Sequence, residues 1–179
     1  PPWKGNWTVV YTGQIYDEAL MRNLMDLAQR HDLWVLSDEI YGEIVFDQKH
    51  QSALPHDQDG RTLIVSGMSK SYAMTGWRVG FTRANPDYIE LAAKLQEPFV
   101  SCGTGFSQLA SAEALDGPQE PVAAMREAYH RRRDIALEVL RAYDLYRYTP
   151  GGAIYLMIDI SASGMDSHDF AMKLLNKKR

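Results

Sequence analysis

The chain has 179 residues, 45% of them apolar and 23% charged, with a formal net charge of -4, which gives room for one sizeable core or for one domain with part of another. So mild an acidity offers no footing for nucleic acid or an anionic membrane surface, and no apolar run approaches the roughly 18 residues that span a bilayer. The single cysteine, Cys102, has no internal disulfide partner, and no signal-peptide pattern is visible, so the expected location is the cytoplasm.

Residues 17 to 31 carry apolar side chains at helical spacing: Leu20, Leu24, Leu27 and Ala28 share a face, Met21 and Met25 widen it, and Asp17 is the expected N-cap. Leu33-Trp34-Val35-Leu36 follows, a short apolar run between polar residues, which is the pattern of a strand buried on both faces. Polar residues 47 to 60, with Pro55 and Gly60, read as a loop. Further buried strands are predicted at Leu63-Ile64-Val65 and at Val79-Gly80-Phe81-Thr82. Asn85-Pro86 starts the next helix, with asparagine as cap and proline at the first helical position. Another helix covers roughly 105 to 115 and ends near Gly117-Pro118, and a long charged helix runs from about 120 to 142.

After Tyr148-Thr149-Pro150-Gly151-Gly152 the pattern changes: Ala153 to Ile158 reads as a strand and 167 to 176 as a helix. The fold expected is α/β, a mainly parallel sheet layered by helices, followed by part of a smaller α+β domain. The boundaries are 1–118 for part of the large domain, 119–143 for the helix between domains and 144–179 for part of the small one. The opening Pro1-Pro2-Trp3 and the end at Asn176-Lys177-Lys178-Arg179 suggest a piece of a longer chain.

Three polar stretches stand at strand ends. They are Ser37-Asp38-Glu39-Ile40-Tyr41, Ser66-Gly67-Met68-Ser69-Lys70 and Thr75-Gly76-Trp77-Arg78-Val79-Gly80. Ligands of open α/β sheets bind outside the carboxyl ends of the strands, so an acid, a phenol, an amine and a guanidinium are expected to converge there. Taken singly, each residue has an ordinary explanation. Lys70 would be a solvated surface group, Asp38 a turn cap, Tyr41 a core residue with a satisfied hydroxyl, and Arg78 half of a surface ion pair. Their joint order and flanking residues make the case.

The run Ser69-Lys70-Ser71-Tyr72-Ala73-Met74-Thr75-Gly76-Trp77-Arg78-Val79-Gly80-Phe81 resembles the cofactor-lysine segment of class I/II aminotransferases, the fold-type I pyridoxal-phosphate enzymes. Ser37-Asp38-Glu39-Ile40-Tyr41 resembles their upstream acid-and-tyrosine segment, and Pro150-Gly151-Gly152-Ala153-Ile154-Tyr155 the entry to their small C-terminal domain. The resemblance extends from about Thr12 to the end. It implies pyridoxal 5'-phosphate as cofactor, held by Lys70 as a Schiff base, with Lys70 then serving as general base and acid. It also implies Asp38 beside the pyridine nitrogen, Tyr41 donating to the ring oxygen, and Arg78 forked onto the phosphate with hydroxyl contacts from Ser69 and Ser66. The implied reaction is amino-group transfer between an amino acid and a 2-oxo acid, in a homodimer. A carbon–sulfur lyase or synthase of the same fold, and a regulatory domain that binds the cofactor without turnover, use the same residues and stay open.

Of the family's Asn-Pro-x-x-Pro-Thr-Gly stretch only Thr12-Gly13 matches, with Val10 and Tyr11 in place of asparagine and proline, so the residues before Thr12 are expected to come from elsewhere in the parent chain or from a junction. Gly67 stands where many relatives carry a phosphate-binding serine. The family's N-terminal phosphate cradle and its C-terminal substrate arginine fall outside these residues, so the piece alone is expected to be a poor catalyst or an inactive one. Gly103-Thr104-Gly105 lacks the third glycine of a dinucleotide fingerprint, since Gln108 holds that place. The histidines at 31, 50, 56, 130 and 168 lack metal-ligand spacing. His31 and His130 are expected to be solvated, Arg131-Arg132-Arg133 to form a charged helix face, and Cys102 to be buried.

Overall fold

The computed structural model describes residues 13–177. The first helix, α1 (Glu18–Arg30), starts where expected: Asp17 Oδ1 accepts from the Leu20 N–H at 2.7 Å. Glu18 in the first turn and Arg30 in the last complement the helix dipole. Its buried stripe is Met21, Met25 and Ala28, while Leu20, Leu24 and Leu27 are exposed. The leucine face expected from the sequence is therefore corrected. Residues 20, 24, 27 and residues 21, 25, 28 both follow the i, i+4, i+7 rule, so spacing cannot choose between adjacent stripes; the side on which the sheet lies does.

The sheet has three strands, β1 (Val35–Asp38), β2 (Thr62–Gly67) and β3 (Gly80–Arg83), in the order β1-β2-β3. Strands β1 and β2 are parallel, with Val35 opposite Thr62 and Asp38 opposite Val65. Strands β2 and β3 are antiparallel, with Ile64 opposite Arg83 and Gly67 opposite Gly80. The sheet is thus small and mixed, not mainly parallel. The reason is local: residues 68–79 fold back on themselves, with the Met68 N–H directed at the Val79 carbonyl at 3.5 Å, so β3 re-enters from the end at which β2 left.

Burial on both faces was expected of all three strands and holds only for the middle one. Leu63 and Ile64 of β2 are buried, whereas Leu36 of β1 is 65% exposed and Phe81 of β3 is 49% exposed. In a three-stranded sheet two strands are edges. Gly67 has a packing reason to lack a side chain, since a Cβ there would sit 2.9 Å from the Gly80 Cα and 3.0 Å from the Val79 carbonyl oxygen. The core gathers Met21, Met25, Ala53 and Ile64, with Val35 and Leu54 packed against them. Each larger side chain so buried contributes roughly 1.5–3 kcal/mol.

The loop entering β2 is organised by one carboxylate. Asp57 Oδ1 accepts from the backbone N–H groups of Gly60 (2.9 Å), Arg61 (3.2 Å) and Asp59 (3.3 Å), and Oδ2 from that of Thr62 (2.9 Å). Gly60 takes the positive φ of +77° that the turn requires. Helix α2 (Pro86–Val100) is capped by Asn85, whose Oδ1 accepts from the Tyr88 N–H at 2.8 Å and whose Nδ2 donates to the Gly60 carbonyl at 2.7 Å. Helices α3 (Gly105–Asp116), α4 (Glu120–Ala142) and α5 (Ser167–Lys177) lie within two residues of their predicted bounds. Among the described residues no helix is long and apolar enough to cross a membrane.

Four further expectations are corrected. Ala153 to Ile158 is not a strand: this part of the chain makes single bridges, Val45 with Gly152 and Tyr146 with Ile158, instead of a ladder. Cys102 is exposed. Arg133 leaves the charged face and is buried, although Arg131 does pair with Glu127 at 3.3 Å. Arg133 Nη1 donates to Asp47 Oδ2 at 2.7 Å and to the Pro150 carbonyl at 2.9 Å, and its guanidinium lies 4.9 Å from the centre of the Phe46 ring. His130 is not simply solvated: it stacks on the other aromatic group of this cluster, Phe46, at 5.2 Å and 14°. A guanidinium can meet two separate loops at once because its donors fan out in a plane, and helical spacing carries no trace of those loops.

Two outcomes follow for the complete polypeptide. Arg133→Ala lowers unfolding stability by about 2–3 kcal/mol, through the unmet Pro150 carbonyl and Asp47, and Arg131→Ala by no more than about 0.5 kcal/mol; equal urea-denaturation losses would contradict the burial difference. Burial pushes the Asp57 carboxyl up, but the hydrogen bonds from Thr62 and its neighbours outweigh this and hold it below the ordinary value. Its stabilisation is therefore complete above the unfolded carboxylate range and is lost as pH falls through the lowered folded value. Urea midpoints measured downward from about pH 5 fall more steeply for the wild type than for Asp57→Asn; parallel curves would count against the assignment.

Candidate active site

Because β1 and β2 run parallel, their carboxyl ends leave the sheet at one edge. Asp38 closes β1 opposite Val65, and β2 ends two residues later at Gly67. The chain then turns tightly: the N–H groups of Tyr72 and Met74 donate to the Met68 carbonyl at 3.3 and 3.2 Å, and that of Ala73 to the Lys70 carbonyl at 3.2 Å. Ala73 takes a φ of +54° to make the turn. This arrangement holds Lys70 half-buried at the sheet edge, with its Nζ 5.6 Å from the centre of the Tyr41 ring. A cation over an aromatic face at that range is weakly attracted, which favours one placement of a long flexible side chain.

Tyr41 belongs to the turn that follows β1, where the Gly42 N–H donates to the Glu39 carbonyl at 2.9 Å. Its hydroxyl meets the Tyr155 hydroxyl at 2.6 Å, with the two rings edge to face. Asp38 is exposed and its Oδ1 accepts from the Ile40 N–H at 3.2 Å, so it takes the turn-capping contact open to any aspartate at such a place. Arg78 is exposed in the left-handed conformation (φ 50°, ψ 52°) and donates from Nη1 to the Thr75 carbonyl at 2.8 Å. Ser69 and Arg78 each stand two residues beyond one of the paired glycines Gly67 and Gly80, which puts both at the same end of the β2–β3 pair. Ser66 is turned inward, its hydroxyl donating to the Glu39 carbonyl at 3.3 Å.

The structure therefore brings the Lys70 and Tyr41 side chains together and gathers Asp38, Ser69 and Arg78 on the same edge by backbone topology. A concavity of about 270 Å³ lies nearby, lined by Glu39, Ser66, Gly67, Met68, Tyr72 and Arg83 among others, and not by Lys70, Asp38, Tyr41 or Arg78. Gly13 packs against the segment Pro150–Gly152. It takes a φ of +71°, its carbonyl accepts from the Gly152 N–H at 3.0 Å, and a side chain there would run into Pro150 at 2.8 Å. Its partner in the motif, Thr12, and the mismatched Val10 and Tyr11 lie outside the described residues.

Two residues inside the quoted motifs make contacts that the motifs themselves do not announce. Tyr155 is one, and its 114-residue separation from Tyr41 leaves no local signal to read. Glu39 is the other. Its Oε1 accepts from the Ser52 hydroxyl at 2.8 Å, the Ser37 hydroxyl at 3.0 Å and the Ala53 N–H at 3.4 Å, while Oε2 lies 2.9 Å from His50 Nε2. Burial pushes this carboxyl up, but the bonds from His50, Ser52 and Ser37 and the His50 charge outweigh it and hold it below its ordinary value.

Comparison with known proteins agrees with the resemblance carried by the Lys70 and Asp38 segments. Residues 11–179 match the family described as aminotransferase class I and II. The arginine–pyruvate transaminase AruH of Pseudomonas aeruginosa is 37% identical over 169 residues, covering 93% of this chain and 43% of that protein. The aspartate aminotransferase of Pyrococcus abyssi is 36% identical over 168 residues, covering 92% and 43%. Among solved structures, an aromatic aminotransferase from Pyrococcus horikoshii superposes with a TM-score of 0.85 at 34% identity, over 91% of this chain and 45% of that one. The chain spans less than half the length of the curated relatives it matches. With every described residue inside the match, this chain belongs to the class I and II aminotransferase family.

Proposed function

We propose that the complete polypeptide carrying these residues is a pyridoxal-phosphate-dependent aminotransferase, moving an amino group between an amino acid and a 2-oxo acid, with Lys70 as the amine that holds the cofactor. The observation that carries the reading is the position of Lys70: on a tight turn directly after β2, its Nζ beside the Tyr41 ring, at the edge where Asp38 closes β1. The family depends on pyridoxal phosphate, and the donor set fits that molecule: an amine for its aldehyde, a carboxylate, a phenol and a guanidinium at one edge. Bound there, the cofactor supplies an aldehyde carbon and a protonated pyridine ring that can accept electrons.

The chain's own groups then divide the work. Lys70 Nζ would hold the cofactor by condensing with its aldehyde, with loss of water. Once freed by a substrate amine, it would be the base that takes the proton from the substrate α-carbon and the acid that delivers it to the cofactor carbon. The Asp38 carboxylate would hold the protonated pyridine nitrogen. The Tyr41 hydroxyl would donate to the ring oxygen. Arg78, whose Nη1 donates to the Thr75 carbonyl, would offer a planar fork to the phosphate, and the Ser69 hydroxyl would add a further contact.

Relatives named for arginine–pyruvate and aspartate transamination share this stretch about equally, so the reading stops at the level of an amino acid and a 2-oxo acid. A homodimer in the cytoplasm, with residues 119–143 linking a large and a small domain, completes the proposal.

Borohydride reduction of the complete, cofactor-loaded polypeptide followed by peptide mapping is the direct test. Trapping is expected on Lys70, and Lys70→Ala is expected to lose the trapped adduct and at least about 1,000-fold in keto-acid-dependent transamination. A variant that keeps the same covalent chromophore would overturn the lysine assignment. Wild-type protein that traps the cofactor but releases pyruvate from cystathionine, or turns over nothing, would replace transamination with lyase chemistry or with cofactor binding alone.

A further inference from the structure

Adjacent residues at the end of β1 carry two carboxylates with opposite surroundings. Asp38 is exposed at the sheet edge, whereas the Glu39 side chain is only 11% exposed. Successive side chains on an extended segment point to opposite faces, so one acid is offered outward and the other is driven into the protein. An ionised carboxylate removed from water is costly unless donors surround it. Glu39 is surrounded: Ser37, Ser52 and the Ala53 N–H serve Oε1 and His50 serves Oε2. Its backbone is tied as well, its N–H donating to the Val65 carbonyl at 2.8 Å and its carbonyl accepting from the Gly42 N–H at 2.9 Å and the Ser66 hydroxyl at 3.3 Å.

These bonds join three segments. The backbone of Glu39 is fastened to β2, which leads to Lys70; its carboxylate is fastened to residues 50–53; and its neighbours in the chain are Asp38 and, two residues on, Tyr41. The ring of His50 fills the space against the turn, since a Cβ on Gly42 would sit 3.3 Å from the ring carbon Cδ2. A turn fixed at both its backbone and its buried side chain has little freedom left, and a carboxylate and a phenol on either side of it inherit that fixity.

We infer that Glu39 is a positioning residue of the cofactor site: its carboxylate, anchored on Ser37, Ser52, Ala53 and His50, sets Asp38 and Tyr41 in reach of a ligand held by Lys70. This rests on the reading of Lys70, Asp38 and Tyr41 as the cofactor site. Glu39 acts through these neighbours and not by touching the cofactor. The isosteric Glu39→Gln keeps an oxygen for the three donors of Oε1, whereas Glu39→Ala removes the anchor altogether.

The test compares pyridoxal phosphate affinity, the visible absorption of the bound cofactor and the urea midpoint in the complete polypeptide for wild type, Glu39→Gln, Glu39→Ala and Met21→Ala. Met21 lies on the buried face of α1, in the core, and serves as a destabilised comparison. Glu39→Ala is expected to weaken cofactor affinity about tenfold or more and to change the absorption band, Glu39→Gln to stay within about threefold of wild type, and Met21→Ala to lose stability with affinity within about twofold. If Glu39→Ala does not fold, Ser52→Ala and His50→Ala decide, each expected to weaken binding about three- to fivefold with the chain still folded. Unchanged affinity and absorption in folded Glu39→Ala, or in both of those replacements, overturns the inference. So does a loss in Met21→Ala equal to that in Glu39→Ala. Wild type that binds the cofactor without a trappable bond to Lys70 overturns the underlying site reading, a result distinct from any of these.

Discussion

Parallel pairing of β1 with β2 is the constraint from which the candidate site follows. A parallel pair sends both chain segments out of the sheet at the same edge, so whatever follows Asp38 and whatever follows Gly67 must share that edge. The crossover through residues 39–61 makes this possible, and the buried side chains of α1 and of Ala53 hold it down. The return of the chain as β3 then closes residues 68–79 into a loop whose base is the contact of two glycines. Lys70 and Arg78 lie near opposite ends of that loop. The glycine pair thus links the close approach of two backbones to the placement of an amine and a guanidinium.

Polar hubs do much of the work that a larger core would otherwise do. Few large apolar side chains are fully buried among the described residues, Ile44 and Met68 being the main ones. Around them, single charged groups collect several loops: Asp57 gathers the N–H groups before β2, Arg133 ties α4 to the segments at 47 and 150, and Glu39 ties the turn after β1 to residues 50–53. A hub of this kind is directional, so it fixes where a loop lies more narrowly than apolar contact does. Its weakness is conditional strength, because the carboxylate hubs depend on ionisation.

How far the sequence could be read differed from element to element, for physical reasons. Helix α2 was legible because Asn85 and Pro86 act within one turn of chain, and the Asp17 cap of α1 was legible for the same reason. The buried side of α1 was not, since two stripes of equal spacing compete and a sheet more than five residues away decides between them. The direction of β3 was hidden in a loop whose fold depends on backbone hydrogen bonds. Arg133 looked like its neighbours Arg131 and Arg132 because a burial partner 86 residues away leaves no local mark. At the candidate site, Lys70, Asp38, Tyr41, Ser69 and Arg78 could be singled out as candidates from motif order, while Tyr155 and the carboxylate contacts of Glu39 came only with the folded chain.

By itself, then, the sequence determined what local chemistry determines: helix starts and stops, the strand-end motifs and, through the Lys70 and Asp38 segments, membership of the class I and II aminotransferases. Tertiary structure alone decided which apolar stripe is buried, that the sheet is mixed, and that a tyrosine from residue 155 meets the tyrosine at 41. The division has one cause. Caps, turns and short motifs are set by atoms a few residues apart, whereas burial, strand direction and side-chain partnership depend on which distant surface arrives, and no nearby residue encodes that arrival.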